Sequence, residues 1–155
     1  MNRPINIVLV SLNDKFCRSV ASSLAERLDM FNADCHDMLV YDLIDPKAVI
    51  EKCGIEYFKK REKGVMENCS EYHNTVLTIN FDLYKTHSNC FINSLVLFLR
   101  LPEGKQDKVP NSLDFELRDA FLAENSHIIV SMEQKSVKKC VDLIIKKMGE
   151  YYENC

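Results

Sequence analysis

The segment "INIVLV", Ile5–Val10, runs almost without polar interruption. A strand with one wet face alternates polar and apolar residues, so this run reads as a strand covered on both faces, as in a parallel sheet. Similar runs recur at Phe31–Cys35, Thr75–Ile79, Ser94–Leu99 and His127–Ser131. Helical patterns stand between them, at Phe16–Leu28, Asp37–Leu43, Pro46–Lys52, Ile55–Cys69, Leu113–Glu124 and Ser136–Tyr152. Val20, Leu24 and Leu28, with Ala21 and Ala25, mark one face of the first helix. Asp45-Pro46 is a helix start, an acceptor cap with Pro in the first turn. Parallel strands need crossovers, and helices supply them, so the alternation predicts an α/β domain with helices on both faces of the sheet.

Two breaks, Asn80–Asn89 and Leu101–Ser112, follow strand ends, where the ligand-facing loops of such sheets lie. Neither reads as a boundary, and 155 residues suit one domain over 1–155. The chain is 46% apolar and 28% charged, with a net charge of −3. That balance gives no electrostatic case for nucleic acid or an anionic membrane. No apolar run approaches the roughly 20 residues that span a bilayer. The start, "MNRPINIVLV", has one Arg and an apolar run too short for a signal peptide, and it reads as mature sequence. Seven cysteines, an odd number with no Cys-x-x-Cys, predict free thiols in a reducing cytoplasm. Cys35-His36-Asp37 holds three metal-ligand types, but adjacent residues rarely converge on one ion, and no metal site is expected. The four histidines share no spacing and read as polar surface or loop positions.

The order of elements resembles that of the shikimate kinases, small P-loop kinases, over nearly the whole chain. "LAERL", Leu24–Leu28, stands where that family ends its first helix, and Asp34 stands at the end of the second strand. "GIEYFKKRE", Gly54–Glu62, has the shape of the family's Gly-Glu-x-x-Phe-Arg-x-x-Glu segment. "RDAFLAENSHIIV", Arg118–Val130, matches the late Arg and the strand that follows it. The resemblance implies a three-layer P-loop NTPase-like fold with a five-stranded parallel sheet in the order 2-3-1-4-5. It also implies a shortened lid-like loop over 101–112, with Lys105 and Lys108 but no Arg.

The chemistry departs from the family. Laid on Gly-x-x-x-x-Gly-Lys-Ser/Thr without a gap, Ser11 replaces the first Gly, Phe16 the second, Cys17 the Lys and Arg18 the hydroxyl residue. Such a loop works because glycines let backbone N–H groups curl around phosphates, while Lys reaches the β- and γ-phosphates and the hydroxyl holds Mg²⁺. On the substrate side, His36 stands for an Asp, Lys59 for an Arg, and Ile79–Phe81 for a Gly-Gly-Gly loop; Arg118 persists.

Lys15 and Arg18, beside the helix N-terminus, are either anion ligands or solvated charges. Cys17 has a lowered thiol pKa if exposed and is idle if buried. Asp34 is either a residual metal-site acid or a local cap. Arg118 either grips a carboxylate or phosphate with its planar fork or pairs with Glu116 or Glu124. The resemblance therefore implies a degenerate nucleotide loop at Ser11, Lys15, Cys17 and Arg18, with no catalytic residues, cofactor or metal. It leaves a substrate-like cleft of Asp34, His36, Lys59, Asn80 and Arg118, suited to a small anionic ligand in a non-catalytic binding or regulatory protein. The alternative is a working small-molecule kinase, with ATP held by Lys15 or Arg18 and Mg²⁺ by Asp34. A structural subunit with a protein partner or a second copy is the third reading.

Overall fold

The computed structural model describes residues 6–105 and 115–154. Five strands form one parallel sheet: β1 (Asn6–Ser11), β2 (Phe31–Asp34), β3 (Thr75–Ile79), β4 (Leu95–Arg100) and β5 (Ile128–Ser131). Their order is β2-β3-β1-β4-β5, as the resemblance implies. Every residue of β1 is buried, which accounts for its uninterrupted apolar run at the centre of the sheet.

The described residues form seven α-helices: α1 (Asp14–Leu28), α2 (Cys35–Leu43), α3 (Pro46–Cys53), α4 (Ile55–Ser70), α5 (Phe81–His87), α6 (Phe115–Glu124) and α7 (Val137–Glu153). Ile7 and Leu9 face a core closed by α1 and α7, with Val20, Leu24, Cys140 and Ile144. Val8 and Val10 face the opposite core, with Leu39, Met66, Phe91, Phe98 and Leu122. No described helix is long and apolar enough to cross a membrane.

The fold corrects two expectations from the sequence. The break at Asn80–Asn89 contains α5 and a 3₁₀ turn, Ser88–Phe91. Asn80 caps α5 by accepting the Leu83 N–H at 2.9 Å, and Leu83, Tyr84 and His87 are buried. The first helix starts at Asp14, not Phe16, so only Leu12 and Asn13 separate it from β1. The lid-like loop is described only through Lys105, where Glu103–Lys105 form a 3₁₀ turn. Lys108 and the rest of that loop, with Ser112, lie outside the described residues.

Between α2 and α3, Ile44 holds φ 65° and ψ −57°. The Asp45 N–H donates to the Leu43 carbonyl at 2.7 Å, which makes this a γ-turn of the strained hand. A β-branched side chain is a poor occupant, and this one is 85% exposed, so little packing compensates. Such backbone strain costs about 1–3 kcal/mol, against about 0.4–1 kcal/mol for the extra unfolded-state freedom of glycine. Ile44→Gly is therefore expected to raise stability by about 1 kcal/mol, read as a higher urea midpoint with an unchanged slope. A lower midpoint would refute the strain.

Candidate functional site

The carboxyl ends of β1, β2 and β3 bring together the start of α1, the start of α2 and the Thr78 hydroxyl. Ser11 ends β1, and its Oγ accepts the Asn13 N–H at 3.2 Å. Asn13 then uses its whole side chain and its carbonyl. Its Oδ1 accepts the Phe16 N–H at 3.0 Å, and its carbonyl accepts the Cys17 N–H at 3.0 Å. Its Nδ2 donates to the Lys105 carbonyl at 2.8 Å, tying the start of the lid-like loop to the start of α1. The Phe16 and Cys17 amides at the head of the helix are thus satisfied by Asn13.

Phe16 and Cys17 point into the core that Val20, Leu97, Leu99 and Leu101 share. Cys17 is buried, the condition under which the sequence reads it as idle, and burial, then the Asp14 and Asp34 charges, push its thiol well above its ordinary pKa. Lys15 is exposed.

Arg18, half-exposed, is tied down instead of free. It donates from Nη2 to Asp34 Oδ1 at 3.0 Å and from Nη1 to Asp37 Oδ2 at 2.9 Å, with a further bond to Asp37 Oδ1 at 3.1 Å. The Asp37 hydrogen bond is the first cause that raises the Arg18 pKa further. Asp34 also caps α2, its Oδ1 accepting the Asp37 N–H at 3.0 Å, while its Oδ2 accepts the Thr78 hydroxyl at 2.5 Å. So Asp34 is the local cap, and it pairs with Arg18 as well. The ligand atoms of Asp34, His36 and Asp37 lie within 4.8 Å of one another, close enough to share a cation. Both carboxylates already hold the guanidinium of Arg18. Cys35, the other candidate ligand, is buried, and its pKa is pushed well up, first by a hydrogen bond with Cys69.

Of the residues expected in the substrate-like cleft, Asp34 and the exposed His36 stand at the start of α2. Asn80 spends its carbonyl oxygen on the α5 cap. Lys59 lines a cavity between α4 and α5 whose lining does not include Arg118. Arg118, on α6, is 9% exposed, and its Nε has no hydrogen-bond partner. The adjacent Asp119 is bonded by Arg100 at 3.0 and 2.9 Å, and that fork anchors α6 to the end of β4.

No family model matches the chain, and no curated protein does. Solved structures do. Shikimate kinase from Aquifex aeolicus superposes with a TM-score of 0.71 at 19% identity, over 93% of this chain and 96% of that one. The chain has the shikimate kinase fold. Shikimate kinase from Acinetobacter baumannii, solved in complex with shikimate, gives a TM-score of 0.68 at 18% identity over 95% and 93% of the two chains. The enzyme from Bacteroides thetaiotaomicron gives 0.65 at 13% identity, over 95% and 99%.

The sequence reading missed Asn13, Thr78 and the Arg100–Asp119 pair, and it met Asp37 only as a metal-ligand type beside Cys35 and His36. Of the missed residues, Asn13 carried a readable signal: an Asn three residues before a buried Phe at a helix start.

The buried thiols predict an alkaline limit. Cys140 is raised to about 12 by burial, and Cys17 is raised as well, from values near 9 in the unfolded chain. Above pH 9 the unfolded chain loses protons that the folded chain keeps. Stability is therefore full below that pH and falls as pH rises toward the folded values, by up to about 1.4 kcal/mol per pH unit per thiol. Urea midpoints between pH 8 and 11 should fall, and Cys17→Ala should flatten the slope. A flat profile in the parent protein would contradict it.

Proposed function

We propose that this chain is a non-catalytic binding or regulatory protein that uses the shikimate kinase fold without ATP-dependent phosphoryl transfer. The observation that carries the reading is the closed head of α1. Phe16 N–H and Cys17 N–H are bonded to Asn13, and the Phe16 ring is buried where a phosphate loop needs open backbone. Opening it would forfeit roughly 1.5–3 kcal/mol of Phe burial and about 1 kcal/mol of capping. Phosphoryl transfer rests almost wholly on positioned charge, and losing one positioned donor costs about 10²–10³ in rate. Here the Lys position is a buried thiol, and the Mg²⁺-hydroxyl position is an arginine held by Asp34 and Asp37.

The deviant-kinase reading puts Lys15 or Arg18 on phosphate and Asp34 on Mg²⁺. The Arg18–Asp34 salt bridge at 3.0 Å employs Asp34 and one of the two cations and weighs against it. Arg118 supports a remaining binding role: a buried guanidinium whose Nε lacks a partner is suited to a carboxylate or phosphate. The Acinetobacter relative's complex with shikimate, a carboxylate, agrees with that ligand class.

Calorimetry with Mg·ATP is expected to give no binding tighter than about 10 μM, roughly −7 kcal/mol. A thermal-shift screen of carboxylates, phosphates and sugar acids is expected to yield hits that Arg118→Ala abolishes. Tight Mg·ATP binding lost in Arg18→Ala would restore the kinase reading.

A further inference from the structure

Of the four histidines expected at polar surface positions, His87 is instead buried, with its Nε2 2.6 Å from Glu62 Oε1. His127 is exposed, yet its ring is held. Its Nδ1 accepts the Val96 N–H at 3.0 Å, and its own backbone N–H donates to the Val96 carbonyl at 2.8 Å. The Tyr151 ring stands edge-on to the imidazole, with 6.3 Å between centroids. An acceptor at Nδ1 places the proton of the neutral ring on Nε2, so His127 presents a fixed donor.

Ser126 and His127 lead into β5, and Val96 stands near the start of β4. They therefore lie at the amino ends of the strands, across the sheet from Ser11 and Asp34. A cavity of about 520 Å³ opens there, with Tyr84, Phe91, Ile92 and Val96 as apolar walls. Ile92 is 72% exposed, an apolar side chain left in water. The Tyr84 hydroxyl is already committed to the Asn125 carbonyl. The Ser126 Oγ is shielded from water and has no hydrogen-bond partner, a costly state for a hydroxyl. Among the described residues that line the cavity, Glu124 carries a carboxylate and none is Lys or Arg. Glu124 also ends α6, where the helix dipole adds negative partial charge.

We propose that this cavity at the amino ends of β4 and β5 binds a small primary amine with an apolar body and a hydroxyl group. The ammonium pairs with Glu124, and the body lies against Phe91 and Ile92. The ligand hydroxyl accepts from His127 Nε2–H and donates to Ser126 Oγ, which no protein partner holds back from turning about χ1 to meet it. The site takes the opposite charge from the Arg118 cleft, lies at the opposite end of the strands, and does not depend on the reading of that cleft.

The test follows the His127 imidazole by NMR in the full chain during titration with tyramine. A second arm uses 4-hydroxyphenylacetate, which keeps the phenol and replaces the ammonium with a carboxylate. A saturable His127 shift with tyramine is expected, at least fivefold weaker in Glu124→Gln, with no saturable shift from 4-hydroxyphenylacetate. Glu124 is exposed, so the variant keeps the fold. No saturable shift with tyramine, a shift of full strength in Glu124→Gln, or an equal response to 4-hydroxyphenylacetate would overturn the proposal.

Discussion

The Phe16 N–H points at Asn13 Oδ1 from 3.0 Å, and the same side chain holds the Lys105 carbonyl from its other end at 2.8 Å. In a phosphate-binding loop the first amides of the helix wait for an anion, and glycines keep the approach open. Here one asparagine satisfies an amide at the head of the helix and fastens the next loop across it. The helix begins at Asp14, with only Leu12 and Asn13 between it and β1, and no room is left for a wide backbone turn. Burial of Phe16 and Cys17 follows from that early start, because it turns both side chains onto the face that packs against the sheet.

Electrostatics at the neighbouring strand ends is closed in the same way. Asp34 and Asp37 would attract a cation, and Arg18 supplies one covalently attached to the chain. Thr78 and the Asp37 amide also donate to Asp34. A guanidinium here has a geometric advantage over a mobile ion, since its fork fits two carboxylates at once. Among the described residues, Arg118 on α6 is a buried cation whose Nε lacks a partner. The front of the sheet thus contrasts a satisfied phosphate-loop region with an unsatisfied arginine on α6.

Much of the architecture was legible because burial on both faces leaves uninterrupted apolar strands, as in Thr75–Ile79, where the predicted and observed bounds coincide. Helix α5 was not legible, because seven residues give less than two turns of periodicity and its cap, Asn80, also fits a loop. His87 read as a surface residue because its partner, Glu62, lies 25 positions away. Arg18 read as a free charge because Asp34 and Asp37 lie 16 and 19 positions from it, and only the β1–α1–β2 crossover brings them together. The identities of Ser11, Phe16, Cys17 and Arg18 were visible in the sequence. The bonds that Asn13 makes to the head of α1 are properties of the fold.

Native-state hydrogen exchange of the Phe16 and Cys17 amides tests this account most directly. Both are expected to exchange slowly, near the rates of the central β1 amides, with Phe16 protection lost in Asn13→Ala and retained in Asn13→Asp, which keeps the capping oxygen. Exchange of both at rates near those of unstructured amides would mean an open anion cradle and would contradict it.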